Sequence, residues 1–150
     1  MPRFAANLAM MFNEHDYPHR FAAAAAAGFK GVESLFPYAE SIEDTKTWLS
    51  DSELELVLIN MPAGDWTNGE RGLTCLPGRQ GEYRDAIAKA IEYALAMGCC
   101  NIHSVAGLAP EPGPERMPYE DTFRENLSWA VEQMAPLDLN LMIEPINGKR

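Results

Sequence analysis

Cysteines and long apolar runs are both scarce in this 150-residue sequence. Of its three cysteines, Cys99 and Cys100 are adjacent, which excludes a disulfide framework and a spaced metal motif. That usage favours a reducing cytoplasm. No apolar run approaches the ~20 residues that cross a membrane, and the start "MPRFAANLAMMFNEHD" lacks the features of a secretory signal. We therefore expect a cytoplasmic protein with no membrane partner.

Basic residues are also few, because 12 Lys and Arg stand against 22 Asp and Glu, a formal charge of −10. Such a field repels phosphate backbones, and no basic stripe interleaved with aromatics occurs, so we expect no nucleic acid partner. Glycine-rich phosphate loops and a serine nucleophile elbow are absent as well. An anionic small substrate would need local compensation from a metal ion or a few arginines.

Five short apolar runs alternate with four helical segments. The predicted strands are Phe4–Leu8, Val32–Phe36, Leu54–Asn60, Asn101–Val105 and Leu139–Glu144. The predicted helices are Tyr17–Ala27, Ser41–Leu49, Gln80–Met97 and Tyr119–Met134. Strict alternation of this kind predicts an α/β fold with a parallel sheet and right-handed crossovers.

Local signals fix several helix ends and faces. Ser41 and Asp44 form a loose capping box at the second helix, and Gly28 and Gly98 are expected to end the first and third. The apolar stripes predicted to face the core are Ile87, Ile91, Ala94 and Leu95 on the third helix, and Phe123, Leu127, Ala130, Val131 and Met134 on the fourth.

Two long loops, residues 61–79 and 106–118, follow the third and fourth strands. Polar residues also stand at or near the carboxyl ends of the strands, namely Asn7, Glu33, Asn60, His103 and Glu144. In α/β folds ligands bind at this edge of the sheet. A carboxylate, an imidazole and two carboxamides around one pocket would suit a hard divalent ion and an oxygen-rich substrate.

Glu144 carries the strongest single signal, because a carboxylate that ends an apolar strand needs a metal, a donor or water. We interpret it as a metal ligand and proton-transfer base; the alternative is a solvated charge. Glu33 is either functional or a structural carboxylate. His103 would hydrogen-bond a substrate oxygen, unless it is a satisfied core residue. Asn7 is expected to bind substrate.

The loop at 61–79 offers further candidates. Arginine presents a fixed fork to a carboxylate, which makes Arg71, and to a lesser degree Arg79, candidate anion partners, with solvated side chains as the alternative. Trp66 would act as a lid over the pocket or pack against the rim. Cys75 has no local histidine partner, so a nucleophilic role is not expected.

Several segments resemble the hydroxypyruvate isomerase family of xylose-isomerase-like TIM barrels. They are "PRFAANLAMMF", "GFKGVESLFPY", "GDWTNGERGLTCLPGR", "YALAMGCCNIHSVAG" and "MIEPIN". The resemblance covers essentially the whole sequence. It implies a (β/α)₈ barrel in which two facing glutamates and a divalent ion, Mg²⁺ or Mn²⁺, interconvert hydroxypyruvate and tartronate semialdehyde. Glu144 matches the family's glutamate at the end of the fifth strand.

A (β/α)₈ barrel needs about 250 residues, so residues 1–150 are expected to be the N-terminal portion of one such domain. The second glutamate and other metal ligands would lie beyond it. Two alternatives follow: either the sequence is a truncated barrel, or another chain completes the barrel. A homo-oligomer would be one form of the second alternative. Functionally, a 2-oxo-tetronate isomerase and a non-catalytic fragment that pairs with another chain remain open. A related DNA-repair endonuclease is disfavoured by three histidines and the acidic charge.

Overall fold

Five parallel strands alternate with four helices in the computed structural model, which describes residues 2–145. The strands are β1 Ala5–Asn7, β2 Gly31–Ser34, β3 Glu55–Asn60, β4 Asn101–His103 and β5 Asn140–Met142. The helices are α1 Tyr17–Ala26, α2 Ile42–Asp51, α3 Gln80–Met97 and α4 Met117–Met134. Every predicted strand and helix is therefore present, although the hydrogen-bonded strands are shorter than the apolar runs that predicted them.

The sheet has the strand order β1-β2-β3-β4-β5, and each neighbouring pair is parallel. Each helix thus crosses from one strand to the next, as the alternation predicted. Among the described residues β1 and β5 are the outer strands. All five carboxyl ends lie at one edge of the sheet, which is where the long loops begin.

The two faces of the sheet differ in chemistry. Strand residues on the face toward the helices are apolar and fully buried, among them Ala6, Val32, Ile59 and Ile102, and they form one core with residues of α1 and α3. Because side chains alternate along a strand, the next residues lie on the opposite face. That face carries the polar strand residues Asn7, Glu33, Asn60, Asn101 and His103.

The helix ends follow their sequence signals. Ser41 caps α2, where its Oγ accepts a hydrogen bond from the Asp44 backbone N–H at 3.0 Å. Gly28 and Gly98 follow α1 and α3 with φ of +92° and +66°, a region that glycine enters without a Cβ penalty. No helix of the described residues is long and apolar enough to span a membrane.

The predicted helix faces were wrong at two positions. Leu95 on α3 is 51% exposed and Val131 on α4 is 50% exposed. The buried line of α4 is Thr122, Asn126, Ala130 and Met134, each one helical turn apart. Ala130 and Met134 were predicted correctly, but the apolar pattern missed Thr122 and Asn126 because they are polar; Asn126 donates its buried amide to the Thr74 carbonyl.

Candidate functional site

The polar residues at the strand ends lie on adjacent strands. Asn7 of β1 stands opposite Glu33 of β2, and Asn60 of β3 stands opposite His103 of β4. His103 in turn pairs in register with Met142, two residues before Glu144. These residues therefore line one edge of the sheet on the face away from the helices.

His103 and Asn60 form the best-defined contact of this edge. The Nδ1 atom of His103 lies 3.0 Å from Oδ1 of Asn60. Both residues are buried, His103 with 9% and Asn60 with 6% of its surface exposed. The Asn60 backbone is held on both sides, since its N–H donates to Leu35 and its carbonyl accepts from the Tyr38 hydroxyl. The imidazole is thus fixed by a partner that cannot easily move.

Two carboxylates act electrostatically on this imidazole. Burial lowers the pKa of His103, while the negative charges of Glu144 and Glu33 oppose that shift. Glu144 is exposed and follows the last residue of β5 by two positions. Both carboxylates lie at the same edge of the sheet as His103, Glu33 on β2 and Glu144 two residues beyond Met142, the register partner of His103.

Asn7 is partly committed to its own loop. Its Oδ1 accepts a hydrogen bond from the Ala9 backbone N–H at 3.0 Å, which turns the chain after β1. The amide NH₂ of Asn7 is the part that can donate to a ligand. Its predicted role in substrate binding stays a prediction.

Arg71, Trp66 and Phe36 lie against one another at the same edge. The Arg71 guanidinium lies 4.3 Å from the centroid of the Trp66 ring, and the Trp66 ring lies 5.1 Å from that of Phe36, just beyond β2. Nη1 of Arg71 donates to the backbone carbonyl groups of Trp66 and Glu70. The cation–π contact with Trp66 and these bonds orient the guanidinium, leaving Nε and Nη2 to meet an anion.

The base of this loop is fastened to the loop that follows β4. The Gly107 N–H donates to the Arg71 carbonyl at 3.0 Å, and the Cys75 N–H donates to the Ala106 carbonyl at 2.8 Å. Gly72 makes the close approach, because a Cβ there would lie 2.2 Å from the Val105 carbonyl oxygen. Any lid movement of Trp66 would thus be confined to the loop tip.

A buried polar network lies beneath the same loop. Thr74 Oγ1 is 2.9 Å from Ser104 Oγ, and Nδ2 of Asn126 donates to the Thr74 carbonyl at 2.9 Å. The Tyr83 hydroxyl also reaches Ser104, the residue after His103. Sequence reasoning missed this network; the one available signal was the polar Asn126 amid apolar α4 residues.

Arg79 and Cys75 contribute structure rather than chemistry. Arg79 forms ion pairs with Glu70 and Glu82, and this pairing lowers the pKa of both carboxylates. Its guanidinium is therefore already engaged, which removes the case for Arg79 as an anion partner. Burial raises the pKa of the Cys75 thiol, which disfavours the thiolate that a nucleophile needs.

A divalent metal centre needs several ligand side chains close together. Within residues 2–145, no three or more His, Cys, Asp or Glu side chains are close enough together to hold a metal ion. Glu144 alone could supply at most one or two oxygens to a divalent ion. The described residues therefore do not make a metal centre by themselves.

Comparison with known proteins identifies the fold family. The model of the family "Xylose isomerase-like TIM barrel" matches residues 21–150. The chain belongs to this family. The sheet and helices described above are accordingly part of a TIM barrel, five strands and four helices of it, and the family resemblance seen in the sequence is confirmed.

Relatives within the family are close. Hydroxypyruvate isomerase of Escherichia coli K12 is 47% identical over 147 residues, which are 98% of this chain and 57% of that protein. The 2-oxo-tetronate isomerase of Cupriavidus necator is also 47% identical, over 149 residues, 99% of this chain and 57% of that protein. This chain therefore spans little more than half the length of the curated relatives it matches.

Solved structures agree on the fold. A Brucella melitensis protein named "AP endonuclease, family 2" superposes with a TM-score of 0.93 at 45% identity, covering 98% of this chain and 56% of that one. A D-allulose 3-epimerase from Methylomonas sp. superposes with a TM-score of 0.74 at 18% identity, covering 97% of this chain and 51% of that one. The second likeness concerns the fold alone.

Proposed function

We propose that this chain carries the first half of the active site of an isomerase that acts on a short hydroxy-keto acid, with hydroxypyruvate as substrate and tartronate semialdehyde as product. The observation that supports this most is the buried His103–Asn60 pair at the carboxyl ends of adjacent strands, with Glu144 two residues beyond Met142, the register partner of His103. The 47% identity to hydroxypyruvate isomerase supports the choice of reaction.

Glu144 would act as the proton-transfer base. Its carboxylate takes a proton from C3 of hydroxypyruvate, which leaves an enediol, and the proton delivered to C2 completes tartronate semialdehyde. The hydroxyl proton moves from O3 to O2 in the same exchange, so the reaction is an isomerisation with no other reactant. The second glutamate that the family resemblance implies has no counterpart among residues 1–150.

Arg71 would bind the carboxylate of the substrate. Its Nε and Nη2 groups can form the two parallel hydrogen bonds that a carboxylate accepts. This local positive charge would offset the repulsion that an anion meets from a chain of net charge −10. The Asn7 amide and the His103 ring would contact the remaining oxygens, and Trp66 would cover the pocket.

A divalent ion, Mg²⁺ or Mn²⁺, remains part of the proposal through the family resemblance. Glu144 would be one of its ligands, and the ion would stabilise negative charge on the substrate oxygens. Because the described residues do not form a metal centre, no step above depends on it.

A chimera tests the reaction. This chain is joined to the portion of the E. coli relative that it does not cover, and isomerisation of hydroxypyruvate is measured with and without Mg²⁺ or Mn²⁺. We expect turnover, and Glu144→Gln should reduce kcat by about 10²–10⁴-fold. Glu132→Gln, an exposed position on α4, is the control and should retain activity. No turnover on any short keto acid or ketose would refute the proposal.

The finer substrate choice needs a direct comparison. Hydroxypyruvate isomerase and 2-oxo-tetronate isomerase match this chain at the same identity, so a 2-oxo-tetronate is the alternative substrate. The ratio of kcat/KM for the two acids in the chimera decides between them.

A second candidate function is pairing with another copy of the chain. The outer strands β1 and β5 carry exposed apolar neighbours, Phe4 on one side and Met142 and Ile143 on the other. Strand edges of this kind favour association. A stable dimer by size-exclusion chromatography with light scattering, with cooperative melting, would support it; a monomer would refute it.

A further inference from the structure

We infer that Asn60 is a positioning residue that holds His103 as the Nδ1–H tautomer, so that Nε2 is presented as a hydrogen-bond acceptor to a substrate hydroxyl group. This inference rests on the proposed function for its substrate. The part that concerns Asn60 and the ring is independent of it.

The contact itself assigns the proton. Oδ1 of Asn60 lies 3.0 Å from Nδ1 of His103, and an amide oxygen can only accept a hydrogen bond. The proton must therefore be on Nδ1. A neutral imidazole carries one N–H, and the ring is neutral near pH 7 because burial lowers its pKa. Nε2 then keeps its lone pair.

The surroundings favour a ligand at Nε2. No residue among 2–145 forms a hydrogen bond to this nitrogen, and the nearby charges of Glu33 and Glu144 come from carboxylates, which only accept. A group that pairs with Nε2 must bring its own donor. The keto and carboxylate oxygens of a short keto acid are acceptors, so its hydroxyl is the one donor it offers.

Asn60 is itself held in place, so it can fix the orientation of the His103 ring. Asn60 and His103 are register partners on adjacent parallel strands, and both are buried. The Asn60 backbone is held by Leu35 on one side and Tyr38 on the other. The consequence is specificity: the pocket would accept a hydroxylated keto acid and discriminate against the same acid without the hydroxyl.

Nitrogen NMR of the 150-residue chain tests the tautomer. The His103 ring is labelled with ¹⁵N and observed at about pH 8, above the ordinary histidine pKa of about 6.5. We expect the Nδ1–H form in the parent and in Asn60→Asp, whose carboxylate also only accepts. Asn60→Leu should move the ring toward the Nε2–H form that imidazole favours in water. An Nε2–H ring in the parent would overturn the inference.

Asn101→Leu is the matched control. Asn101 is two residues before His103 on the same face, and its amide donates to the Val57 carbonyl at 2.7 Å rather than to the ring. This variant should keep the Nδ1–H form. A tautomer change as large as that in Asn60→Leu would show that general loss of packing, not the Asn60 contact, moves the proton.

The acceptor role is tested by titration with two acids. Hydroxypyruvate should shift the Nε2 resonance, and pyruvate, which lacks the hydroxyl, should not. Equal shifts, or none, would overturn the acceptor role even with the expected tautomer. Failure of the chimera to turn over hydroxypyruvate, with the Nδ1–H tautomer intact, would instead count against the proposed function.

Discussion

Gly72→Ala should detach the loop after β3 from the loop after β4. Gly72 has φ of +116°, and an added Cβ would lie 2.2 Å from the Val105 carbonyl oxygen and 2.5 Å from the Gly107 nitrogen. Backbone on two sides cannot yield as a side chain could. The two loops must therefore separate. Two hydrogen bonds between them are then lost, from the Gly107 N–H to the Arg71 carbonyl and from the Cys75 N–H to the Ala106 carbonyl.

The expected loss in the free energy of unfolding has two parts. A non-glycine residue at positive φ costs about 1–2 kcal/mol, and each of two lost backbone hydrogen bonds costs about 1 kcal/mol. Gly72→Ala should thus lower the free energy of unfolding by about 3–4 kcal/mol. Gly69→Ala is the matched control, because Gly69 has φ of +95° but no atom within 4 Å of an added Cβ. It should lose only the conformational part, about 1–2 kcal/mol.

Urea denaturation followed by far-UV circular dichroism measures both variants. The result that supports the reasoning is a loss in Gly72→Ala larger than that in Gly69→Ala by about 2 kcal/mol, at unchanged slope. Equal losses would mean that the contact between the two loops does not stabilise the fold. It would also mean that this contact does not fix the base of the loop, nor the position of Arg71.

Three further predictions concern the buried polar groups and the site. Asn126→Leu should lower the free energy of unfolding by about 1–3 kcal/mol because the Thr74 carbonyl loses its donor, whereas Glu125→Leu on the exposed side of α4 should not, as urea titration checks. Burial lowers the pKa of His103, so the unfolded chain binds that proton more tightly, and the free energy of unfolding should fall as pH drops through about 6.5; thermal melts of His103→Gln should show a weaker pH dependence than those of His19→Gln. Arg71→Lys in the chimera should raise KM about 10-fold or more, since lysine cannot present a planar fork; no change in KM would exclude Arg71 from the pocket.

Most of the fold was predictable because each local signal agreed with the next. Gly98 ends α3 at the residue the sequence indicated, and Ser41 caps α2 as its spacing to Asp44 suggested. Strand ends were less predictable, because hydrogen bonding stops before the apolar run does. Glu144 illustrates this, since it lies two residues past the last paired residue of β5.

The helix faces were harder because burial depends on what a side chain meets, not on its polarity. Asn126 is 1% exposed, while Val131 and Leu95 are half exposed. A count of apolar positions selects Val131 and Leu95 for the core and rejects Asn126. The partner that makes Asn126 tolerable, the Thr74 carbonyl, is 52 residues away in sequence. No local pattern contains such information.

For the candidate site, the alternation of strands and helices predicted that the polar residues lie at one edge of the sheet. It could not predict which of their side chains contact one another. Alternation along β3 and β4 is too short to tell which residues share a face. The register between the strands decides it, and places Asn60 beside His103. Arg79, the weaker of the two arginine candidates in the sequence, is excluded for a different reason: its ion pairs with Glu70 and Glu82 already engage its guanidinium.

The loops and the strands of this chain are joined through one short stretch, residues 103–107. His103 faces the candidate site, Ser104 turns to the buried network of Thr74 and Tyr83, and the Ala106 and Gly107 backbone pairs with the loop that carries Arg71. The ring that would contact the substrate and the arginine that would bind its carboxylate are therefore positioned by the same segment. A change that loosens this stretch should weaken both contacts together, which is why Gly72→Ala, although distant from Glu144 in sequence, is expected to affect binding as well as stability.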